Sequence, residues 1–469
     1  GSNQHMASAP AIWTILEYWQ HELLLFCAIF FLIGAIDDLC VDIVWVLHRA
    51  GRWLARYRIA PPVRANHLPP PSTPGLIAIF IATWQESSVI EAMLRQCQQA
   101  WSRGTTEYRI YVGCYPNDRR GAAAIMRGCG GHPQCRLVLC DLPGPTSKAD
   151  CLNRLWHALL SDELVAGMKA KAIVLHDAED SVHPRELRVF DYLIEKACAV
   201  QLPVIAIPVA RSNWISGHYC DEFAEAHGKQ LVVREAIGAA VPLAGVGCAI
   251  ERNHLGRIAL RNGGNPFDAT SLTEDYELGM GVTEAGARTI FARILDEDGQ
   301  LVGTRACFPD TLGAAVRQKA RWMTGIALAG WDRLGWRGSA FEYWMRLRDR
   351  KAVFAALVLT LAYVCIALTA LLILAHRGGV HDPKPLSSTL VLLLLINAVL
   401  LFWRMVVRCA FVSRQYGWRQ GLLSIPRTIV ANIIAIMAAR RATFAYARHL
   451  LGGKLQWDKT THTHFPSSS

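Results

Sequence analysis

The chain has 469 residues, a hydrophobic fraction of 52% and a formal charge of +11, with a mean hydropathy of +0.21. This length suits two or three domains, and so apolar a composition, unevenly spread, excludes an ordinary soluble protein. The positive balance points to anionic partners, either phospholipid headgroups or nucleotide diphosphates; no zinc-finger spacing, RNP-type aromatic motif or helix-turn-helix pattern supports nucleic acid.

Residues 1–10, opening GSNQHMAS, read as a cloning remnant outside the fold. Residues 11–60 hold a first membrane helix, expected over Trp13–Ile36, which is long enough for ~30 Å of hydrocarbon. Trp13, Tyr18 and Trp19 suit one interface. Asp37, Asp38 and Asp42 belong at the inner interface, because three carboxylates in lipid are costly. Arg49, Arg52, Arg56 and Arg58 then put the following block in the cytosol by the positive-inside rule. The proline-rich stretch 61–74 reads as a linker. Residues 75–337 form the soluble block, with strand-like runs at Leu76–Ala82, Tyr108–Val112, Leu137–Leu139, Ala172–Leu175 and Val204–Pro208. Helical segments alternate with them, which predicts an α/β domain with a mostly parallel sheet. Phe341–Lys351 suits a helix lying on the membrane surface. Ala352–Ala375 and Leu386–Trp403 are expected to make two more crossings. Thr428–Ala439 is short and flanked by Arg427, Arg440 and Arg441, so it reads as interfacial or re-entrant, followed by a basic amphipathic segment to Leu451. Residues 452–469 form a cytosolic tail.

The chemistry-bearing residues fall in the soluble block. Thr83-Trp84-Gln85-Glu86 follows the first strand. Lys148-Ala149-Asp150-Cys151-Leu152-Asn153 opens a helix, with Thr146 and Ser147 as candidate N-caps. Asp177-Ala178-Glu179-Asp180 ends a buried strand, where α/β sheets bind ligands. Asp177 and Glu179 at i and i+2 can meet a hard divalent cation, Mg²⁺ or Mn²⁺; the pair Glu179 and Asp180 stays open as an alternative. Thr273-Glu274-Asp275 supplies carboxylates for general-base work. In Gln318-Lys319-Ala320-Arg321-Trp322 the guanidinium can pair with diphosphate oxygens, the indole is a flat surface for a sugar, and Gln318 can hold the loop. The loop at Gly245 and Gly247 permits close backbone approach. Asp221–Glu225 reads as a solvated helix face. The fourteen cysteines have no repeating spacing, and Cys129, Cys135 and Cys140 with His132 fit no zinc module. Free thiols in a reducing cytosol are expected.

In this order the motifs resemble the catalytic core of membrane-integrated, processive family-2 glycosyltransferases. The YPND, DEFAE and AGVGCA segments and the tail Leu455–His462 narrow the resemblance to the phage-adsorption protein B (NfrB) group, over roughly residues 15–466. The resemblance implies a Rossmann-like GT-A domain with transmembrane and interfacial helices. It implies an inverting, metal-dependent transfer from a UDP-sugar, on the group's pattern a UDP-N-acetylhexosamine, to a growing glycan or lipid-linked acceptor. Asp275 would be the base, oriented by Thr273 and Glu274. Thr83, Glu86 and Asp118 would grip the nucleoside; Lys148, Asn153, Asp177 and Arg321 the diphosphate. Gln318, Trp322, Gly245 and Gly247 would face the acceptor, and Asp177 and Glu179 the divalent cation. A bacterial inner-membrane location, an outer-membrane export partner for a secreted exopolysaccharide and a cyclic-di-GMP-sensing region beyond this chain follow from the same resemblance. Two other readings stay open: a single-sugar transferase to polyprenyl phosphate, and a membrane receptor or scaffold with a degenerate transferase domain.

Overall fold

Strand β1 (Ile77–Ala82) has the sequence IAIFIA, apolar at every position and buried along nearly all of it. Such a run suits a strand covered on both faces. Ile77, Ile79 and Ile81 pack into one hydrophobic cluster. Ala78 and Phe80 point the other way, into a second, as the period of two requires. The structure is a computed structural model that describes residues 3–56 and 64–453. Arg58, the start of the expected linker and the tail motif lie outside the described residues.

The remaining strands are β2 (Tyr108–Cys114), β3 (Cys135–Leu139), β4 (Ala172–His176), β5 (Ala199–Gln201), β6 (Val204–Ala206), β7 (Cys248–Glu251), β8 (Thr289–Phe291) and β9 (Thr304–Ala306). Seven of them form one sheet in the order β3-β2-β1-β4-β7-β5-β8, while β6 and β9 make a separate pair. Strands β1 to β4 run parallel, and β7 is antiparallel to both β4 and β5. The expected α/β, mostly parallel architecture is therefore present, with one reversed strand. Val204–Pro208, expected in the main sheet, instead contributes β6 to the small one.

Helix α1 (Asn3–Arg56) precedes the sheet, and α2 (Ile90–Trp101), α3 (Arg119–Cys129), α4 (Lys148–Ala166) and α5 (Glu186–Leu193) follow β1 to β4. Then come α6 (Ile215–Glu225), α7 (Leu231–Ala236), α8 (Arg252–Arg261), α9 (Glu274–Glu284), α10 (Leu312–Trp322), α11 (Gly330–Leu334) and α12 (Ala340–Arg350). The chain closes with α13 (Ala352–Arg377), α14 (Ser388–Tyr416) and α15 (Trp418–Leu450). Four of these helices, α1 and α13 to α15, are long and apolar enough to cross a membrane.

Three expectations change here. The 12-residue reading of Thr428–Ala439 gives way to one helix of 33 residues. Arg427, read as a boundary, is buried and pairs with Asp221 at 2.7 Å; an arginine is compatible with a helix, and the pairing offsets the cost of burying its charge. Asp221 and Glu225, taken as solvated, are buried. Glu225 on α6 accepts from Arg404 and Arg408 of α14 and lies 2.9 Å from Lys229. Burial opposes its ionisation, but these three cations more than offset it and hold the carboxyl well below its ordinary range. Lys229 also pairs with Asp42 of α1, whose other oxygen accepts from Trp403 at 2.9 Å. Soluble domain and membrane helices thus meet across a buried ionic seam. Finally, Cys129 and Cys135 are disulfide-bonded rather than free thiols. Gly130 and Gly131, both at positive φ, turn the chain back and bring the two Cα atoms to 5.4 Å. The other twelve cysteines are free.

Removing one member of a buried charge cluster leaves its partners uncompensated, at a cost of about 3–5 kcal/mol. Glu225→Gln is expected to lower stability by about that amount in chemical denaturation of detergent-solubilised protein. A change within error of zero would mean that the seam is not structural.

Candidate active site

The C-terminal edge of the sheet collects the predicted residues. Strand β4 ends at His176 and delivers Asp177 to that edge. The turn is braced from below: Asp180 accepts from the Asp177 amide at 2.9 Å and faces His176 at 3.0 Å, and His176 meets Glu186 at 2.9 Å on its other nitrogen. Asp180 is therefore held by buried partners, which disfavours the alternative pair Glu179 and Asp180. Ser147, confirmed as an N-cap, accepts from the Asp150 amide and starts α4, so that Lys148 reaches Asp177 at 2.6 Å.

Glu274 and Asp275 open α9 and share this pocket. Burial works against charging Lys148, but the fields of Asp177, Glu274 and Asp275 more than offset it and hold the ammonium above its ordinary range. For the two carboxyls the balance runs the other way. Burial and the neighbouring Asp275 push Glu274 up to about 7, despite Lys148 and Arg321. Asp275 is likewise raised, by burial and by Asp177. One ammonium and one guanidinium thus face three carboxyl groups, an electrostatic arrangement that favours holding a proton on the Glu274–Asp275 pair near neutrality.

The loop at Gly245 explains its glycine. Its φ is +73°, and a Cβ there would overlap the Asp275 carboxylate. Gly247, at φ +57°, lies against Thr304 in the same way. On the far side, Thr273 packs on Gly325, where a Cβ would come within 2.6 Å of its hydroxyl. Gly325 was not singled out from sequence; the small-residue run after Trp322 was the available signal. Gln318 is buried with no hydrogen-bond partner for its Oε1. Trp322 stands edge-on to Tyr219, with ring centroids 6.2 Å apart, in an apolar cluster that includes Ile434 of α15.

Other predicted donor contacts have bracing roles. Thr83 donates its hydroxyl to the Gly113 carbonyl at 2.7 Å and ties β1 to β2. Asn153 exchanges two hydrogen bonds with the Phe267 backbone, at 2.8 and 3.0 Å, and so anchors the loop that leads to α9. Asp118 accepts from the amides of Gly121 and Gln85, at 2.9 and 2.7 Å; it caps α3 and holds Gln85 at its positive φ of 56°. Glu86 is buried at the entry to α2. Thr83, Asp118 and Asn153 thereby brace the loops at this edge of the sheet.

Asp177, paired here with Lys148 at 2.6 Å, and the buried Glu179 are carboxylates of the type that a hard cation such as Mg²⁺ or Mn²⁺ takes, its shell then being completed by phosphate oxygens and water. Among the described residues no group of three or more His, Cys, Asp or Glu forms a self-sufficient metal cage. The donor set suits a cation that arrives with a diphosphate.

Comparison with known proteins bears on the family and the fold. The family described as "Glycosyltransferase like family 2" matches residues 74–325. The chain is 36% identical over 462 residues to bacteriophage adsorption protein B of Escherichia coli K12, and equally to bacteriophage N4 adsorption protein B of E. coli O157:H7. These matches cover 94% of the chain but 61% of each relative's length. The fold is similar to that of a mannosyltransferase from Pyrobaculum calidifontis, solved with GDP-mannose and Mn²⁺. That likeness has a TM-score of 0.50 and 16% identity and covers 92% of this chain and 99% of the other.

The raised Glu274 makes a pH prediction. Because its folded value lies above the ordinary 4.5, its stabilising contribution is complete below about 4.5 and is lost as pH rises through about 7. Wild-type protein is therefore expected to lose stability relative to Glu274→Gln across that window in denaturation experiments. A constant difference between the two would contradict the shared-proton pair.

Proposed function

The chain belongs to the glycosyltransferase-like family 2, and from that premise we propose that it builds a secreted exopolysaccharide from a cytosolic UDP-sugar, an N-acetylhexosamine being the leading candidate. The observation that carries this reading is the grouping of Lys148, Asp177, Glu274, Asp275 and Arg321 at one partly buried site. Lys148 and Arg321 bind the diphosphate of the donor. Asp177 and Glu179 hold a divalent cation, which when bound supplies further positive charge to the departing nucleoside diphosphate. Asp275 takes the proton of the acceptor hydroxyl as the oxygen attacks the anomeric carbon. Glu274, carrying a proton near neutrality, lets Asp275 work as a carboxylate beside it. Direct displacement inverts the anomeric centre, so an α-linked donor yields a β-linked product.

Gln318 and Trp322 border the acceptor, and their helix leans on α15, which suits a glycan that stays at the membrane between transfers. Four membrane-length helices, with Arg49, Arg52 and Arg56 at the end of the first, support a membrane location with the catalytic domain on the cytosolic side, the inner membrane being the one with a cytosolic face. An outer-membrane partner would export the product, and a cyclic-di-GMP-sensing region would govern it. Transfer of one sugar to polyprenyl phosphate is a second reading, and product length separates the two.

Protein in nanodiscs, given a panel of UDP- and GDP-sugars with Mn²⁺ or Mg²⁺, is expected to release nucleotide from one UDP-sugar. Asp275→Asn should lower that rate by about 10²–10⁴-fold, and Gly245→Ala should reduce it strongly by displacing the same carboxylate. Equal release by Asp275→Asn would overturn the base assignment. Release only from GDP-sugars would overturn the choice of nucleotide.

A further inference from the structure

Helix α12 lies between the membrane helices and the catalytic helix α9, and its side chains divide between the two. Toward the soluble domain, Asp349 accepts both arms of the Arg234 guanidinium, at 2.7 and 3.0 Å, and the Tyr276 hydroxyl at 2.7 Å. Tyr276 is the residue after Asp275. Three residues before Asp349, Arg346 donates to Glu284, the last residue of α9, at 2.6 Å. Arg346 also donates to Glu342 at 2.9 Å, and Glu342 accepts from the Ala240 amide at 2.7 Å. α12 therefore grips α9 at its first turn and at its last residue. Toward the membrane, Trp344 donates to Asp37 of α1 at 2.6 Å, Lys351 reaches the same carboxylate at 2.5 Å, and Arg348 pairs with Asp37 and Asp38.

Replacing a buried fork of this kind by apolar side chains is often neutral or stabilising, so stability alone is a weak reason for it. What such a fork does supply is fixed geometry, and a misplacement of about 1 Å at a reacting group costs on the order of 10²-fold in rate. We propose that α12 is the positioning element of the catalytic centre: Asp349, acting through Tyr276, sets the orientation of the Glu274–Asp275 turn, and Asp37 makes that orientation depend on the seating of α1. This rests on the transferase reading above. Asp349 touches no reacting atom, so it is a positioning residue.

The test uses the full chain in nanodiscs. Asp349→Asn is expected to lower kcat by about 10²-fold while leaving donor KM within about twofold. Tyr276→Phe should behave similarly, and the double variant should lose no more than the larger single loss, because both cut one connection. Arg95→Gln, which removes an exposed i,i+4 pair with Glu91 on α2, should match wild type. Unchanged kcat in Asp349→Asn, multiplicative losses in the double variant, or a fall in kcat that merely tracks loss of folded protein would each overturn the proposal. A second readout needs no turnover: the pH window separating wild type from Glu274→Gln should move in an Asp349→Asn background. An unmoved window overturns the positioning role even if no donor is turned over, whereas a moved window with no turnover sinks only the transferase reading.

Discussion

The buried charge seam around Glu225 is the constraint on which the rest of the molecule depends. A carboxylate with almost no solvent contact is tolerable only when cations replace its lost hydration. Arg404 and Arg408 from α14 and Lys229 from the π-helical segment Ala226–Gln230 that joins α6 to α7 do so. Because the partners come from different elements, charge neutrality and docking are one requirement. Asp42 extends the seam to α1 through Lys229, and Asp221 extends it to α15 through Arg427. The soluble domain is therefore docked on α1, α14 and α15 through paired buried charges.

That seating has a consequence for the pocket. One side of the pocket is built by the sheet itself, from the ends of β1, β2 and β4 and the start of α4. The other side is built by α9 and α10, and α10 rests on α15, through Ala320 against Ala438 and Ala442. Small residues there let two helix backbones approach closely. The pocket is thus assembled half by the α/β domain and half by elements whose position is set at the membrane surface. The dense field of Lys148, Asp177, Glu274, Asp275 and Arg321 exists only where these halves meet.

Several features were readable directly because they follow from local pattern. The uninterrupted apolar run of β1 announced a strand covered on both faces, and Ser147 announced the start of α4. Lys148, Asp177, Glu274 and Arg321, singled out by their motifs along the chain, lie near one another in the fold. Polar residues have two uses that local pattern does not separate. Asp118, Asn153 and Thr83 each hydrogen-bond backbone groups as well as lying on the expected nucleoside and donor side. Asp221 and Glu225 have the composition of a solvated helix face, and only their distant partners make burial affordable. Arg427 looked like the end of a membrane segment for the same reason.

The amino-acid sequence by itself determined the α/β class, the membrane helices α13 and α14 and the residues that make the pocket, since periodicity, hydropathy and motif spacing are properties of neighbouring residues. Tertiary structure alone decided which charges are buried, that α15 runs unbroken through Arg427, that Cys129 meets Cys135, and that α12 clamps α9. Each of these depends on a partner remote in sequence or on a chain reversal. A charge's cost of burial is set by where its counter-charge lies in space, and that distance is absent from the order of the residues.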